Sequence, residues 1–63
     1  MVKELENKIV ELKEKRARIR KYVQDNENNK EMWDLINICK GQSIELLNQI
    51  QYLQKLVKEL KGE

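Results

Sequence analysis

The sequence predicts an all-α protein, a two-helix antiparallel hairpin of the coiled-coil type that assembles into a four-helix bundle or a higher helical oligomer. Two stretches of the chain carry apolar residues at alternating steps of three and four. A polar segment at 25–29, Asp-Asn-Glu-Asn-Asn, separates them. Proline is absent and 38% of the 63 residues are charged, which is typical of long solvated helices. We therefore expect one domain, residues 1–63.

Helix 1 is predicted at about residues 2–24. Its flanks are mostly Lys, Arg and Glu, so its apolar stripe is narrow and needs a single neighbouring helix. The residues of the stripe are Val2, Leu5, Ile9, Leu12, Arg16, Ile19 and Val23.

Arg16 occupies a stripe position where Leu or Ile would be expected. One interpretation is a polar layer in which Arg16 faces Cys39, with Gln42 and Ser43 one turn away, and which fixes the register and the oligomeric state. A second is that the guanidinium reaches water past its own aliphatic stem. A third is that Arg16 meets an anionic ligand inside the assembly.

The turn is predicted at 25–28 and helix 2 at about 29–61. Asn28, with Glu31 three residues later, is the expected N-terminal cap. Gly41 either kinks this helix or ends it, with Ser43 capping a third helix. The unbroken heptad phase favours one continuous or gently kinked helix, and its stripe is Met32, Ile36, Cys39, Ser43, Leu46, Ile50, Leu53, Val57 and Leu60.

Helix 2 is expected to be the inner helix of an oligomer. Its flanks carry further apolar residues, and a broad apolar stripe must bury against two or more neighbours; these residues are Trp33, Leu35, Ile38, Ile44, Leu47, Tyr52 and Leu56. If Val23 pairs with Met32, the last turns of helix 2 extend beyond helix 1, and Leu56, Val57 and Leu60 need cover from a second chain. The predicted oligomer interface is Ile36, Cys39, Ser43, Leu46, Leu47, Ile50, Leu53, Leu56, Val57 and Leu60.

Residues 41–54 contain one charged side chain, Glu45. Interface cores are depleted in charge, so this segment is where copies of helix 2 are expected to meet. The alternative is that the Gln-rich segment is simply a mildly polar helix face.

Catalytic chemistry has few candidate groups. The chain has no His and a single Cys, which argues against a metal site, a disulfide framework and His-based acid–base catalysis. We expect no enzyme activity and no cofactor, and we expect Cys39 to act as a small buried hydrophobe rather than a reactive thiol. No apolar run approaches the roughly 18 residues of a membrane span. We therefore expect a cytoplasmic protein without membrane contact.

Basic residues cluster between positions 13 and 21, where Glu14 is the one acid. Such a stripe is the electrostatic signature of nucleic-acid or anionic-ligand binding, and its candidate residues are Lys13, Lys15, Arg18, Arg20 and Lys21. The alternative is a solvated face that the acidic segment 25–34 neutralises within the hairpin.

Two resemblances bear on the fold. In length and hairpin plan the chain is similar to the small dimeric four-helix-bundle proteins of plasmids that bind RNA, a likeness of architecture alone. The segment 43–47, Ser-Ile-Glu-Leu-Leu, resembles the Ser-Gln-Glu-Leu-Asp signature of short hairpin phosphatases that act on aspartyl phosphate. Leu47 replaces the Asp that defines this signature, so the activity is not carried over.

The expected function is that of a small non-enzymatic protein–protein interaction module, an adaptor, regulator or inhibitor, acting as a homo-oligomer on an unidentified protein. The alternative is a nucleic-acid or anionic-nucleotide binding protein that uses the basic stripe of helix 1. Richness in Lys, Asn and Ile suggests a phage or plasmid origin.

Overall fold

The computed structural model describes residues 1–62 and shows two long helices packed against each other. Helix α1 spans Val2–Asn26, a short 3-10 turn spans Lys30–Met32, and helix α2 spans Trp33–Leu60. The hairpin is a rod with extents of 48 × 14 × 13 Å. The predicted all-α hairpin is therefore confirmed.

Within residues 1–62, no helix combines the length and the apolar character needed to cross a membrane.

The turn lies slightly later in the chain than the sequence indicated. Helix α1 continues to Asn26, whose side-chain Nδ2 donates a hydrogen bond of 2.8 Å to the carbonyl of Tyr22. Asn29 then adopts an extended conformation, and its Oδ1 accepts the Glu31 N–H at 3.1 Å. The capping residue is thus Asn29 rather than Asn28, because α1 extends two residues further than predicted. Asn29 caps the 3-10 turn, and α2 itself begins at Trp33 with Met32 as its N-cap.

Helix α2 runs through Gly41 without interruption. A Cβ atom added at Gly41 would meet nothing within 4 Å, so this glycine fills no steric need. At the other end, Gly62 has a positive φ of 74° and its N–H donates to the carbonyl of Glu59. This left-handed glycine satisfies a free carbonyl and ends the helix.

The core lies between the two helices, away from the turn. One cluster of buried side chains contains Ile9, Leu12, Leu46, Ile50 and Val57. Val2, Leu5, Ile19 and Leu53 pack against it while remaining partly exposed. Each buried aliphatic side chain of this kind contributes about 1.5–3 kcal/mol. This cluster is the main apolar contribution that holds the hairpin together.

The observed register corrects the predicted pairing. Val57 is only 8% exposed and belongs to the core cluster against which Val2 and Leu5 of α1 pack, so α1 covers this end of α2. Arg16 hydrogen-bonds to the backbone of Ser43, which was expected one turn from it, beside Cys39. The expectation that Val57 lacks an intramolecular neighbour was therefore wrong.

The predicted oligomer interface is largely occupied by α1. Ile36, Ser43, Leu46, Ile50 and Val57 are buried within the single chain. Cys39, Leu47, Leu53 and Leu56 are half-buried, and Leu60 is 48% exposed. The area that α1 covers on these side chains is not available to a second chain, so any further contact must use the flanks of α2.

Candidate functional site

Two grooves run along opposite sides of the hairpin, where the flanks of α1 and α2 meet. Both rest on the same core, because residues three and four apart share one face of a helix and the intervening positions face sideways. The two sides therefore differ only in their flanking side chains, and those side chains decide what each groove can bind.

The first side, which we name the basic groove, consists of two contiguous depressions of about 740 and 360 Å³ that share Ala17 and Arg20. Its small and apolar lining residues are Ala17, Val23, Ile44, Leu47 and Ile50. Glu27 is the acidic residue among its lining. Its cations come from both helices and are Lys13, Arg16, Arg20, Lys21 and Lys40.

The structure regroups the basic stripe that the sequence suggested. Lys13, Arg20 and Lys21 line the basic groove, whereas Lys15 lines the groove on the opposite side. Arg18 lines neither of them. A helix turns about 100° per residue, so a run of consecutive cations cannot remain on one face. The stripe is divided rather than presented as a single surface.

Lys40 was not among the sequence candidates for anion binding. It lies on α2, distant in sequence from the basic stripe, and reaches the groove because the hairpin brings the two helices together. A signal was present in its spacing: Trp33, Lys40 and Leu47 recur every seven residues and so share one face of α2. The sequence alone did not show whether this face or the opposite one lies beside the basic stripe of α1, because that depends on how the two helices pair.

Arg16 connects the groove to the hairpin interior. Its Nε donates a hydrogen bond of 3.1 Å to the carbonyl oxygen of Ser43, in a partly buried position. Among residues 1–62, no buried side-chain nitrogen or oxygen lacks a hydrogen-bond partner. Arg16 therefore forms a satisfied polar layer across the two helices, while its place in the groove lining keeps it accessible to an anion.

The groove cations have no carboxylate partners in the part of the chain that the structure describes. The ion pairs there are Lys8–Glu11 at 3.6 Å and Lys61–Glu6 at 3.4 Å. Neither involves the acidic segment 25–34, although Glu27 of that segment lines the groove. The five groove cations are therefore opposed by one lining carboxylate, which makes no ion pair with them.

The second side carries a different set of residues. Its groove, of about 370 Å³, has Lys8 and Lys15 facing Glu45, with Gln42 and Gln49 beside them. Large apolar side chains extend the same face of α2 in both directions at steps of three and four. We name this set the apolar flank: Leu35, Ile38, Tyr52 and Leu56.

Residues of the apolar flank are well exposed. Leu35 is 44% exposed, Ile38 58% and Tyr52 67%, while Leu56 is half-buried. Within α1, Val10 is the large apolar side chain with comparable exposure, at 53%. The sequence identified these flanking residues as apolar, but the predicted interface favoured the heptad stripe, which α1 already covers.

Metal-binding geometry is not a feature of the described residues: within 1–62, no group of three or more His, Cys, Asp or Glu side chains is placed to hold an ion. Cys39 is a free, half-buried thiol on α2.

No protein-family model matches the chain, and neither a curated protein nor a solved structure is significantly similar to it.

Proposed function

We propose that this protein is a non-enzymatic interaction module of the cytoplasm that pairs with a second copy of itself through the apolar flank of α2. The resulting four-helix assembly presents a rigid helical surface to a protein partner, as an adaptor, regulator or inhibitor does. The observation that carries this proposal is the exposure of Leu35, Ile38 and Tyr52 on one face of α2.

The large exposed apolar side chains lie mainly on α2: Leu35, Ile38 and Tyr52 are on the apolar flank, and Trp33 and Ile44 are on the side of the basic groove. Single exposed apolar residues are normal on protein surfaces, but a set recurring along one helix face marks a contact surface. Gln42, Glu45 and Gln49 lie between the two apolar pairs of the flank, and Glu45 faces Lys8 and Lys15 across the groove. The two amides are less costly to desolvate than ions, so the flank offers an apolar and weakly polar contact surface with one charged position at its centre.

The total surface supports a second copy as the occupant. The chain exposes 5186 Å², whereas a compact monomer of 7.6 kDa is expected to expose about 4300 Å². The difference, about 900 Å², is close to the roughly 800 Å² that each partner contributes to an interface of standard size. A hairpin rod reaches the compactness of a globular domain when it pairs side by side with another.

The test is the mass of the protein in solution, measured by size-exclusion chromatography with light scattering. We expect the unmodified chain to run as a dimer or higher oligomer. The double variant Leu35→Gln/Ile38→Gln should run as a folded monomer, because it removes apolar contact area without touching the hairpin core.

Val10→Gln is the matched control, since Val10 is similarly exposed but lies on α1 outside the flank. It should leave the oligomer mass unchanged. Substituting Ile50 is unsuitable here, because Ile50 is 4% exposed and its loss would unfold the hairpin itself. A monomeric wild-type chain, or an oligomer that survives both flank substitutions, would refute the proposed pairing.

A further inference from the structure

The basic groove gathers five cations from both helices around one concave surface. Like charges held around a shared depression repel one another, and field lines are concentrated in such a cleft. Glu27 is the one carboxylate in the lining, and within residues 1–62 no carboxylate lies in ion-pair contact with these cations, so the lining keeps an excess of positive charge. An anion in the groove would relieve this repulsion.

The shape of the groove favours an extended ligand. Its lining runs along α1 from Lys13 to Glu27, which corresponds to about 21 Å of helix. Pockets for small molecules enclose most of the ligand surface, whereas this groove is an open trough between two helices. A small anion would touch few of its cations, but a chain with repeated charges would touch several at once.

Arg20 and Trp33 indicate which kind of polyanion the basic groove binds. Arg20 presents a planar guanidinium whose donors match phosphate oxygens in pairs. Trp33 is 52% exposed and lies one heptad before Lys40 on the same face of α2, beyond the end of the trough. A positively charged groove continued by an exposed aromatic side chain is the arrangement that binds single strands, through phosphate contacts and base stacking.

We infer that the basic groove is a binding site for single-stranded nucleic acid, with phosphates on Lys13, Arg16, Arg20 and Lys40 and a base stacked on Trp33. Recognition of this kind does not depend on base sequence, because the contacts are made to the backbone and to the face of a base. The inference is independent of self-association, since the groove is complete within one chain.

The experiment measures fluorescence anisotropy of a labelled oligo(dT) of about ten nucleotides, within the site sizes known for single-strand binders. Four phosphate contacts should make the affinity fall about fiftyfold between 50 and 200 mM salt. The groove variant Arg20→Glu/Lys40→Glu should bind far more weakly and retain only about a sevenfold salt effect from two remaining contacts.

The matched control is Lys15→Glu/Arg18→Glu. It makes the same change in net charge and removes two cations of the same basic stripe, but neither residue lines the basic groove. We expect it to keep nearly the full affinity for the short probe. An equal loss of affinity in both variants, with helicity retained, would overturn the proposed site and indicate general electrostatic attraction instead. If the unmodified chain did not bind the probe at 50 mM salt, the proposed site would be overturned as well.

A second measurement separates nucleic acid from an acidic polypeptide. Trp33→Leu should lower the affinity about tenfold through lost stacking, and Trp33 fluorescence in the unmodified chain should be quenched by the probe. Poly(Glu) of equal charge should compete poorly. Unchanged affinity of Trp33→Leu together with equal competition by poly(Glu) would overturn nucleic acid as the ligand and assign the groove to an acidic protein segment.

Discussion

The two sides of the hairpin are built on one core but differ in chemistry. In the basic groove, five cations surround Ala17, Ile44 and Leu47. On the opposite side, Lys8 and Lys15 face Glu45, and the exposed apolar side chains of α2 extend beyond them. Because heptad stripe residues hold the helices together, the flanks are free to diverge, and one short hairpin can offer two separate surfaces.

The largest predicted effect is loss of the folded hairpin, which would remove the basic groove and the apolar flank together. Ile50→Ala removes a side chain that is 4% exposed and belongs to the core cluster. Such truncations cost about 2–5 kcal/mol, which is comparable with the 3–5 kcal/mol that a chain of this size usually has. We expect the Ile50→Ala variant to lose its helicity at a lower urea concentration than the unmodified chain, as measured by circular dichroism. Self-association and nucleic-acid binding should be lost together with the fold.

Ile44→Ala is the control for that experiment, since Ile44 is 60% exposed. Its effect on the free energy of unfolding should stay within about 0.5 kcal/mol. A similar cost for both substitutions would show that the two helices pack differently from the arrangement described.

A second prediction tests whether the two sides work independently. In a dimer joined by the apolar flanks, two basic grooves are available to one long strand. Linked sites raise the affinity about a hundredfold or more over a single site. Leu35→Gln/Ile38→Gln should therefore lose this gain on an oligonucleotide long enough to reach both grooves, measured by anisotropy, and should bind the short probe normally. Weaker binding of the short probe would show that the two sides are coupled.

Gly41→Ala should stabilise the hairpin without altering either side. An added Cβ meets nothing within 4 Å, and alanine is favoured over glycine in a helix interior by about 1 kcal/mol. Thermal unfolding should shift upward by about 4–8 °C. Gly62→Ala is the opposite case, because its φ of 74° disfavours a side chain. A lower melting temperature for Gly41→Ala would indicate that this glycine has a steric role.

The smallest predicted effect concerns the Glu6–Lys61 ion pair, whose atoms lie 3.4 Å apart at the end of the hairpin away from the turn. Both side chains are more than 40% exposed, so solvent and salt screen their attraction. Glu6→Gln should change the free energy of unfolding by no more than about 0.5 kcal/mol in urea titrations. A larger loss would place this pair among the main contributors to stability.

Sequence patterns could predict the helices but not their register. The spacing of Ile9, Leu12, Leu46 and Ile50 identifies the residues that face the partner helix, because that spacing follows from helix geometry. The register depends on where the turn ends, and Asn28 and Asn29 are chemically equivalent cap residues. The pairing of the two helices decides whether Val57 is a core residue or an exposed one, and it is buried.

The residues of the candidate site were likewise only partly predictable from the sequence. Lys13, Arg20 and Lys21 were visible as a basic cluster, since charge is read directly from the sequence. Lys40 was not associated with them, because that requires knowing which flanks of two distant segments meet. Lys15 and Arg18 belong to the same stretch of sequence but do not line the basic groove, because neighbouring residues of a helix point to different faces.

The hydrogen bond between Arg16 and Ser43 has a consequence for the order of folding. It joins residues 27 apart in sequence, between the turn and the main apolar cluster. Closing the chain further, to bring Ile9 to Ile50, costs only about 0.4 kcal/mol of additional loop entropy. A hairpin that closes from the turn therefore buries Ile36 first, reaches this polar layer next, and gains most of its apolar burial in the last steps of closure.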